Sequence, residues 1–234
     1  MQLVAFDLDD TLYPEEEYVR SGFAAVAQWA QEALGIPLAQ GLVELTRLFD
    51  AGVRGNTFDQ WLAQHGISPD SWIDTLIGVY RGHEPRIRPY ADVVPALRAL
   101  RPHYRLGLVS DGYLEAQKRK LSALGIETMF DIVVFSDEIG RDAWKPSVRP
   151  FHVLLHRAGL PGQEVVYVGD NPAKDFAGAR LSGIRTVRIR RPDGIHRDLE
   201  PAGPDHAPDF EIPSLDGLLP ILDWLARDRS TDGR

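Results

Sequence analysis

The stretch VVYVGDNPAKDFAGARLSGIRTVRI, residues 165–189, contains the repeating unit of the predicted fold. An apolar run ends at Gly169, an amphipathic segment occupies 176–181, Gly183 follows it, and a second apolar run fills 186–189. Short apolar runs rich in β-branched residues predict buried strands, whereas the middle segment has the spacing of a helix. Strand, helix and strand in this order are typical of a parallel sheet covered by helices.

The same alternation extends outward from this unit toward the N-terminus. Further strands are predicted at 3–6, 106–109 and 132–135, and further helices at 114–124 and 151–158. We therefore predict an α/β fold, with a Rossmann-like parallel sheet flanked by helices.

Beyond residue 189 the sequence loses this regularity. Residues 190–213 are rich in Pro, Asp and His and predict a loop. We expect Arg188, Arg190 and Arg191 to form a solvated strand end, although they could also bind an anionic ligand. A last amphipathic helix is predicted at about 215–225, and we expect 228–234 to be disordered.

The first predicted strand is followed by about 70 residues with a helical pattern, beginning at Pro14. Thr57 and Ser68 are candidate helix caps within this segment. Its apolar residues recur at helical spacing, so its helices should pack against one another as a small bundle. We predict a core domain formed by 1–13 and 89–234, with an inserted helical-bundle domain at 14–88.

The composition limits the possible functions. The chain has 234 residues, 44% of them hydrophobic, which suffices for a sizeable core. Its formal net charge of -8 argues against nucleic acid or a membrane surface as a partner, because both are polyanions. The lack of Cys excludes disulfides, thiolate metal sites and a cysteine nucleophile. Since we find neither a signal-peptide pattern nor an apolar run of roughly 18 residues, we expect a cytoplasmic protein.

Three acids follow the first predicted strand within four residues, namely Asp7, Asp9 and Asp10. Parallel sheets bind ligands at the carboxyl ends of their strands, which is where these side chains lie. One interpretation is a solvated turn, since Asp favours such positions. The other is a site for a hard divalent cation with Asp7 as nucleophile, because carboxylate oxygens are the ligands that Mg²⁺ prefers.

A second acidic group follows the strand predicted at 165–168. It contains Asp170, Asn171 and Asp175. Because parallel strands align their carboxyl ends, Asp170 can meet Asp7 at one edge of the sheet. Acidic residues at a helix N-terminus would also be favoured by electrostatics alone, so this group by itself does not decide the function.

Two further segments have residues suited to binding an anion. Ser110, Asp111 and Gly112 end the strand predicted at 106–109, where a hydroxyl and backbone N–H groups can face an oxyanion. Lys145 is one of only four lysines in the chain, which has 22 arginines. A generic surface cation in this chain is usually Arg, which favours Lys145 as a required point charge. A solvated surface lysine before a helix is the alternative.

Taken together, the four segments resemble the haloacid dehalogenase superfamily over residues 3–189. The run Asp7-Leu8-Asp9-Asp10-Thr11 resembles its first motif, Ser110 its second, Lys145 its third, and Gly169-Asp170 with Asp175 its fourth. The insert at 14–88 looks like the C1-type cap of that superfamily, which covers the active site and selects substrates.

This resemblance implies a mechanism. Asp7 would attack phosphorus to give an aspartyl-phosphate, and Asp9 would act as general acid and base. Ser110 and Lys145 would be catalytic and, together with Asp111 and Gly112, would bind the phosphoryl oxygens. The resemblance further implies Mg²⁺ as the cofactor. Its ligands would be Asp7, the backbone carbonyl of Asp9 and Asp170, with Asn171 and Asp175 orienting ligands or bound water.

The resemblance also indicates which reaction of the superfamily the chain would catalyse. A halide leaving group needs no acid, whereas an alkoxide does, and Asp9 occupies the acid position. We therefore predict a Mg²⁺-dependent phosphatase acting on a small phosphorylated metabolite, either a sugar phosphate or a nucleoside monophosphate. A phosphomutase and a phospho-acceptor signalling module remain as alternatives. Tyr13, Arg54 and Asn56 are candidate substrate contacts, and a monomer or weak homodimer is expected.

Overall fold

The computed structural model describes the backbone of residues 1–231 and the side chains of residues 1–227. Within this range the strands are β1 (Leu3–Phe6), β2 (Arg105–Ser110), β3 (Ile132–Phe135), β4 (Val165–Gly169), β5 (Arg185–Ile189) and β6 (Phe210–Ile212). The α-helices are α1 (Glu15–Ala33), α2 (Leu38–Asp50), α3 (Thr57–Gln64), α4 (Ile73–Gly82), α5 (Val93–Leu100), α6 (Leu114–Leu124), α7 (Arg149–Ala158), α8 (Phe176–Leu181) and α9 (Leu218–Thr231).

The six strands form one parallel sheet in the order β3-β2-β1-β4-β5-β6. The first strand therefore lies at the centre, between β2 and β4. Phe6 at its end is paired with Leu108 on one side and Val168 on the other. The predicted α/β class with a Rossmann-like sheet is confirmed, and the residues that follow β1, β2 and β4 leave the sheet at the same edge.

The sheet core is built from fully buried aliphatic and aromatic side chains. Phe151 and Leu154 of α7 pack on strand residues such as Ala5 and Tyr167. Gly107 of β2 permits this close packing, because a Cβ there would lie 3.1 Å from Leu154 and 3.2 Å from the Cβ of Ala5. The helix layer is thereby held close to the strands that carry the acidic residues.

Two predictions for the C-terminal region are wrong. Residues 210–212 form the edge strand β6, although the sequence indicated a loop there. The last helix continues to Thr231, so 228–231 are helical rather than disordered. The remainder of the expected disordered segment, 232–234, lies outside the described residues.

The expectation of solvated arginines after β5 also fails at two positions. Arg188 is fully buried and donates to the carbonyls of Asp170, His196 and Leu199. Arg191 is 5% exposed and donates to the carbonyl of Thr11. Both guanidinium groups therefore hold loop carbonyls, which a solvated strand end would not do.

The chain divides into two compact units. One consists of Met1–Glu15 together with the chain from Arg88 onward, and it contains the whole sheet. The other is Glu16–Ile87, whose helices enclose a core of their own that includes Phe23, Trp61 and Leu62. The predicted role of the second unit as a cap stays a prediction.

Within the second unit, the side chains of the two candidate caps, Thr57 and Ser68, do not cap a helix. Thr57 is the first residue of α3 and is preceded by Asn56. Ser68 precedes a short 3₁₀ turn without a capping hydrogen bond from its side chain.

In the part of the chain that the structure describes, no helix is both long and apolar enough to cross a membrane.

Candidate active site

Three buried carboxylates meet at the carboxyl edge of the sheet. Asp7 follows β1, and its backbone N–H donates to the carbonyl of Val168 at 2.8 Å, which fixes it beside β4. Asp170 follows β4, and Asp175 precedes α8. One carboxylate oxygen from each of the three lies within 4.8 Å of the others. The structure therefore brings together the two acidic groups that the sequence separates by more than half of the chain.

A single ammonium group compensates two of these carboxylates. The Nζ atom of Lys145 lies 2.6 Å from Oδ1 of Asp7 and 2.7 Å from Oδ1 of Asp175, and all three side chains are buried. Lys145 also donates to the hydroxyl of Tyr167 at 2.8 Å. Although burial disfavours the ammonium, the carboxylates of Asp175 and Asp7 hold the pKa of Lys145 well above its usual range.

The ammonium of Lys145 does not neutralise the whole negative charge of Asp7, Asp170 and Asp175. Burial raises the pKa of Asp7 to about 6, although Lys145 opposes the shift. Burial and the charges of Asp175 and Asp7 raise the pKa of Asp170 well above its usual range. The pKa of Asp175 is lowered despite burial, chiefly by Lys145 and Lys174. The group as a whole thus favours an additional positive charge.

The donor set fits a metal ion. Among the described side chains, Oδ2 of Asp7 and Oδ2 of Asp170 are buried without a hydrogen-bond donor. A buried carboxylate oxygen without a partner is costly, and a hard divalent cation satisfies such oxygens directly. Both carboxylate oxygens of Asp175 already accept hydrogen bonds, Oδ1 from Lys145 and Oδ2 from the backbone N–H of Asn171, and its predicted role in orienting ligands stays a prediction.

The raised pKa of Asp7 predicts how stability depends on pH without metal. Its ordinary pKa of 3.8 becomes about 6 on folding, so the folded state binds more protons between these values. The free energy of unfolding should therefore fall as pH rises through this window, by up to about 3 kcal/mol from Asp7. Urea unfolding in EDTA measures this fall. The fall should be smaller in the Asp7→Asn variant, where the raised pKa of Asp170 still contributes, and identical profiles for the two proteins would contradict the shift.

Asp9 occupies a separate buried position with its own partners. Its Oδ1 accepts from Nζ of Lys120 at 2.7 Å and from the hydroxyl of Tyr13, and its Oδ2 accepts from Nε2 of Gln117 at 2.9 Å. Burial alone would raise the pKa of Asp9, but Lys120 and Tyr13 lower it to about 2. The side chain of Asp9 is therefore an ionised carboxylate outside the group of three acids.

The predicted phosphate-binding segment after β2 lies next to these acids. Ser110 is fully buried, and its Oγ accepts from Nε2 of Gln117 at 2.6 Å. The carboxylate of Asp111 accepts from Oγ of Ser136 at 2.6 Å and from the backbone N–H of Lys145 at 3.0 Å. Asp111 thus links the Ser110 segment to the loop that carries Lys145.

Asp10 and Asn171 fix the backbone around the site. Asp10 has a φ of 50°, and its carboxylate accepts from the N–H groups of Glu15 and Ile195 at 2.8 and 2.7 Å. Asn171 donates its backbone N–H to Asp175 at 2.8 Å, and its Oδ1 accepts from Ala173 at 2.9 Å. These two side chains close turns, and a metal-orienting role for Asn171 stays a prediction.

The three candidate substrate contacts have different surroundings. Tyr13 is fully buried in the first unit, where its hydroxyl donates to Asp9. Arg54 and Asn56 belong to the second unit. Arg54 donates to the carbonyl of Phe49 at 2.6 Å and stacks over its ring, while Asn56 accepts from Gln60 at 3.2 Å. A substrate contact for any of the three stays a prediction.

A family model described as haloacid dehalogenase-like hydrolase matches residues 1–183. The chain belongs to the haloacid dehalogenase-like hydrolase family. The resemblance inferred from the four motifs is thereby confirmed, and the protein is a hydrolytic enzyme.

Named relatives extend over nearly the whole chain. The chain is 36% identical to glyceraldehyde 3-phosphate phosphatase of Methanopyrus kandleri, with 97% of this chain and 100% of the relative covered. It is 30% identical to phosphoserine phosphatase of Thermus thermophilus, with 82% of this chain and 74% of the relative covered.

Solved structures show the same fold. A HAD phosphatase from Thermococcus onnurineus matches with a TM-score of 0.63 and 27% identity, over 95% of this chain and 98% of its own. A 2-haloacid dehalogenase from Pseudomonas syringae matches with a TM-score of 0.66 and 25% identity, again over 95% and 98%. The fold is therefore shared by proteins named as a phosphatase and as a dehalogenase.

In this haloacid dehalogenase-like hydrolase, sequence reasoning missed four polar residues at the site. Gln117 and Lys120 contact Asp9, Tyr167 contacts Lys145, and Nζ of Lys174 lies 3.9 Å from Oδ2 of Asp7. The scarcity of lysine, which drew attention to Lys145, applied equally to Lys120 and Lys174 and could have identified both.

Proposed function

We propose that the protein is a Mg²⁺-dependent phosphatase that hydrolyses a small phosphomonoester through an aspartyl-phosphate on Asp7. The observation that carries this proposal is the pair of buried carboxylates Asp7 and Asp9, two residues apart, each with its own lysine. Such an arrangement suits a reaction in which one carboxylate attacks and the other exchanges protons.

In the first step, a carboxylate oxygen of Asp7 attacks phosphorus, and the bond between phosphorus and the ester oxygen breaks. Because Asp9 is ionised in the free site, it first takes a proton from the bound phosphate monoester and then gives that proton to the leaving alkoxide. In the second step, Asp9 takes a proton from a water molecule that attacks the phosphoryl group. The bond between phosphorus and Asp7 then breaks, which releases inorganic phosphate and restores the carboxylate.

Residues around Asp7 support the charge development in both steps. Lys145 holds Asp7 in place through its 2.6 Å contact and offers positive charge near the transferred group. We propose that Ser110 and the backbone N–H groups of Asp111 and Gly112 bind phosphoryl oxygens.

Asp7, Asp170 and the backbone carbonyl of Asp9 are the proposed Mg²⁺ ligands, with Asn171 and Asp175 in supporting roles. When bound, the ion neutralises phosphoryl charge and offsets the repulsion within the acidic group. The buried Oδ2 atoms of Asp7 and Asp170, which accept no hydrogen bond, support this assignment.

Asp9 and the relatives favour a phosphate ester over a haloacid. A halide leaves as an anion without a proton, so a dehalogenase does not need an acid beside its nucleophile. The relatives at 36% and 34% identity are both named glyceraldehyde 3-phosphate phosphatase, which favours a short phosphorylated metabolite as substrate. We further propose that the unit Glu16–Ile87 selects this substrate, with Arg54, Asn56 and Tyr13 as candidate contacts.

Phosphate release from a panel of monoesters tests the proposal. The panel contains p-nitrophenyl phosphate, glyceraldehyde 3-phosphate, phosphoserine, sugar phosphates and nucleoside monophosphates, each with Mg²⁺ or with EDTA. We expect release that requires Mg²⁺, with the highest kcat/KM for a three-carbon phosphate.

A second measurement does not depend on turnover. Mg²⁺ at about 100 times its Kd should raise the free energy of unfolding by roughly 2.7 kcal/mol if it binds only the folded state. Equal release in EDTA, or no release from any monoester despite this stabilisation, would contradict the proposal. Persistent phosphorylation of the protein without phosphate release would instead favour a phospho-acceptor module. Transfer of the phosphoryl group between positions of a sugar would favour a phosphomutase.

A further inference from the structure

Three of the four lysines have ammonium groups among the buried acids. Those of Lys120 and Lys145 contact Asp9 and Asp7 directly, and that of Lys174 lies 3.9 Å from Asp7. Lys118 differs, since its side chain is 47% exposed and its neighbour Glu115 is at the surface. The proposed mechanism gives a role to Lys145 and leaves Lys120 unexplained.

Lys120 lies on the buried face of α6. Its side chain is 7% exposed and that of Asp9 is 12% exposed, with 2.7 Å between Nζ and Oδ1. Removing two charges from water costs several kcal/mol per ion, which a well-formed pair only partly offsets. A pair of this kind is therefore weakly explained by stability, and a role in positioning explains it better.

Gln117 lies one helical turn before Lys120 and contacts the same carboxylate. Its Nε2 donates to Oδ2 of Asp9 at 2.9 Å and to Oγ of Ser110 at 2.6 Å. The turn after β2 is shaped around this amide, because a Cβ on Gly112 would lie 3.0 Å from Cδ of Gln117. Since Oγ of Ser110 accepts from Gln117, the Ser110 hydrogen can be donated elsewhere.

Together the two α6 side chains reach both oxygens of Asp9. Lys120 donates to Oδ1 and Gln117 to Oδ2, so the carboxylate can neither rotate nor move without losing a buried charge-assisted hydrogen bond. A base that abstracts a proton from water must be held in reach of that water in this way.

We propose that Gln117 and Lys120 are positioning residues that hold the Asp9 carboxylate where it accepts the proton of the attacking water. This inference rests on the proposed function. In the step concerned, water attacks the phosphoryl group on Asp7, its proton goes to Asp9, and the electron pair of the broken bond between phosphorus and oxygen returns to Asp7. Formation of the phosphorylated protein from p-nitrophenyl phosphate does not need Asp9, because p-nitrophenolate leaves without a proton.

The test compares Lys120→Met with the matched variant Lys118→Met on the same helix. With ³²P-labelled p-nitrophenyl phosphate and Mg²⁺, acid quenching measures the steady-state fraction of phosphorylated protein. In Lys120→Met we expect kcat to fall about 10- to 100-fold, the phosphorylated fraction to rise and KM to fall in parallel with kcat. The ratio kcat/KM should stay unchanged, because it depends on the phosphorylation step alone. Lys118→Met should match the wild type, and Lys120→Arg should recover part of kcat.

The outcomes separate this inference from the proposed function. No phosphate release from the wild type would end the proposed function. Release from the wild type together with wild-type kcat in Lys120→Met would overturn the positioning role alone, as would a lower kcat without more phosphorylated protein. If Lys120→Met does not fold, Gln117→Leu introduces no unpaired charge and is expected to raise the phosphorylated fraction. An unchanged fraction in that variant would overturn the inference.

Discussion

Replacing Asp7 by Asn is expected to lower kcat by at least about 10⁴-fold while the fold is retained. The amide cannot form the aspartyl-phosphate, yet it has nearly the volume of the carboxylate. The substitution also removes the buried negative charge of the Asp7 carboxylate, whose pKa is raised by burial to about 6. Thermal unfolding at neutral pH should therefore show a melting temperature no lower than that of the wild type.

The control for this variant is Asp216→Asn, at an exposed position outside the site. It should leave kcat and the melting temperature unchanged. Acid-quenched Asp7→Asn should hold no covalent phosphate. Activity within tenfold of the wild type, or a phosphorylated Asp7→Asn protein, would remove Asp7 from the role of nucleophile.

Replacing Lys145 by Met should destabilise the metal-free protein by about 3–5 kcal/mol and abolish turnover. The ammonium is fully buried between Asp7 and Asp175, at 2.6 and 2.7 Å. Without it, the two buried carboxylates lose their direct ion pairs, and the nearest remaining ammonium is that of Lys174, 3.9 Å from Oδ2 of Asp7. Urea unfolding in EDTA at neutral pH measures the loss of stability, and phosphate release from p-nitrophenyl phosphate measures the loss of activity.

Two further variants determine the cause of that destabilisation. Lys118→Met changes an exposed lysine and should shift the free energy of unfolding by less than about 0.5 kcal/mol. Adding Asp175→Asn to Lys145→Met removes one of the opposing carboxylates and should recover part of the stability. A loss below about 1 kcal/mol in Lys145→Met would show that the buried ion pairs are energetically minor.

The sheet could be predicted from the sequence because most of its strands are continuous apolar runs. Leu3–Phe6 and Ile132–Phe135 have the predicted bounds. The edge strand Phe210–Ile212 could not be found in the same way. It has three residues, and Glu211 in its middle is exposed. Its pairing with β5 depends on tertiary structure, which local patterns do not contain.

The acidic group could be predicted because each of its segments begins at a strand end. The parallel topology then brings Asp7 and Asp170 together without knowledge of any side-chain position. Gln117 and Lys120 lie within a helix, where polar residues are normally solvated. Spacing was a signal for both, since they share the face of α6 that buries Ala116 and Leu121, and the scarcity of lysine was a second signal for Lys120.

The position of β1 at the centre of the sheet has a consequence for synthesis on the ribosome. Asp7 is made before β4, the strand that pairs with β1 on one side and ends at Gly169. Until that strand has left the exit tunnel, Asp7 has neither Asp170 beside it nor Asp175 to share Lys145. The nascent chain therefore carries Asp7 without the neighbours that complete the acidic group, and this group forms only once β4 and the turn after it have emerged.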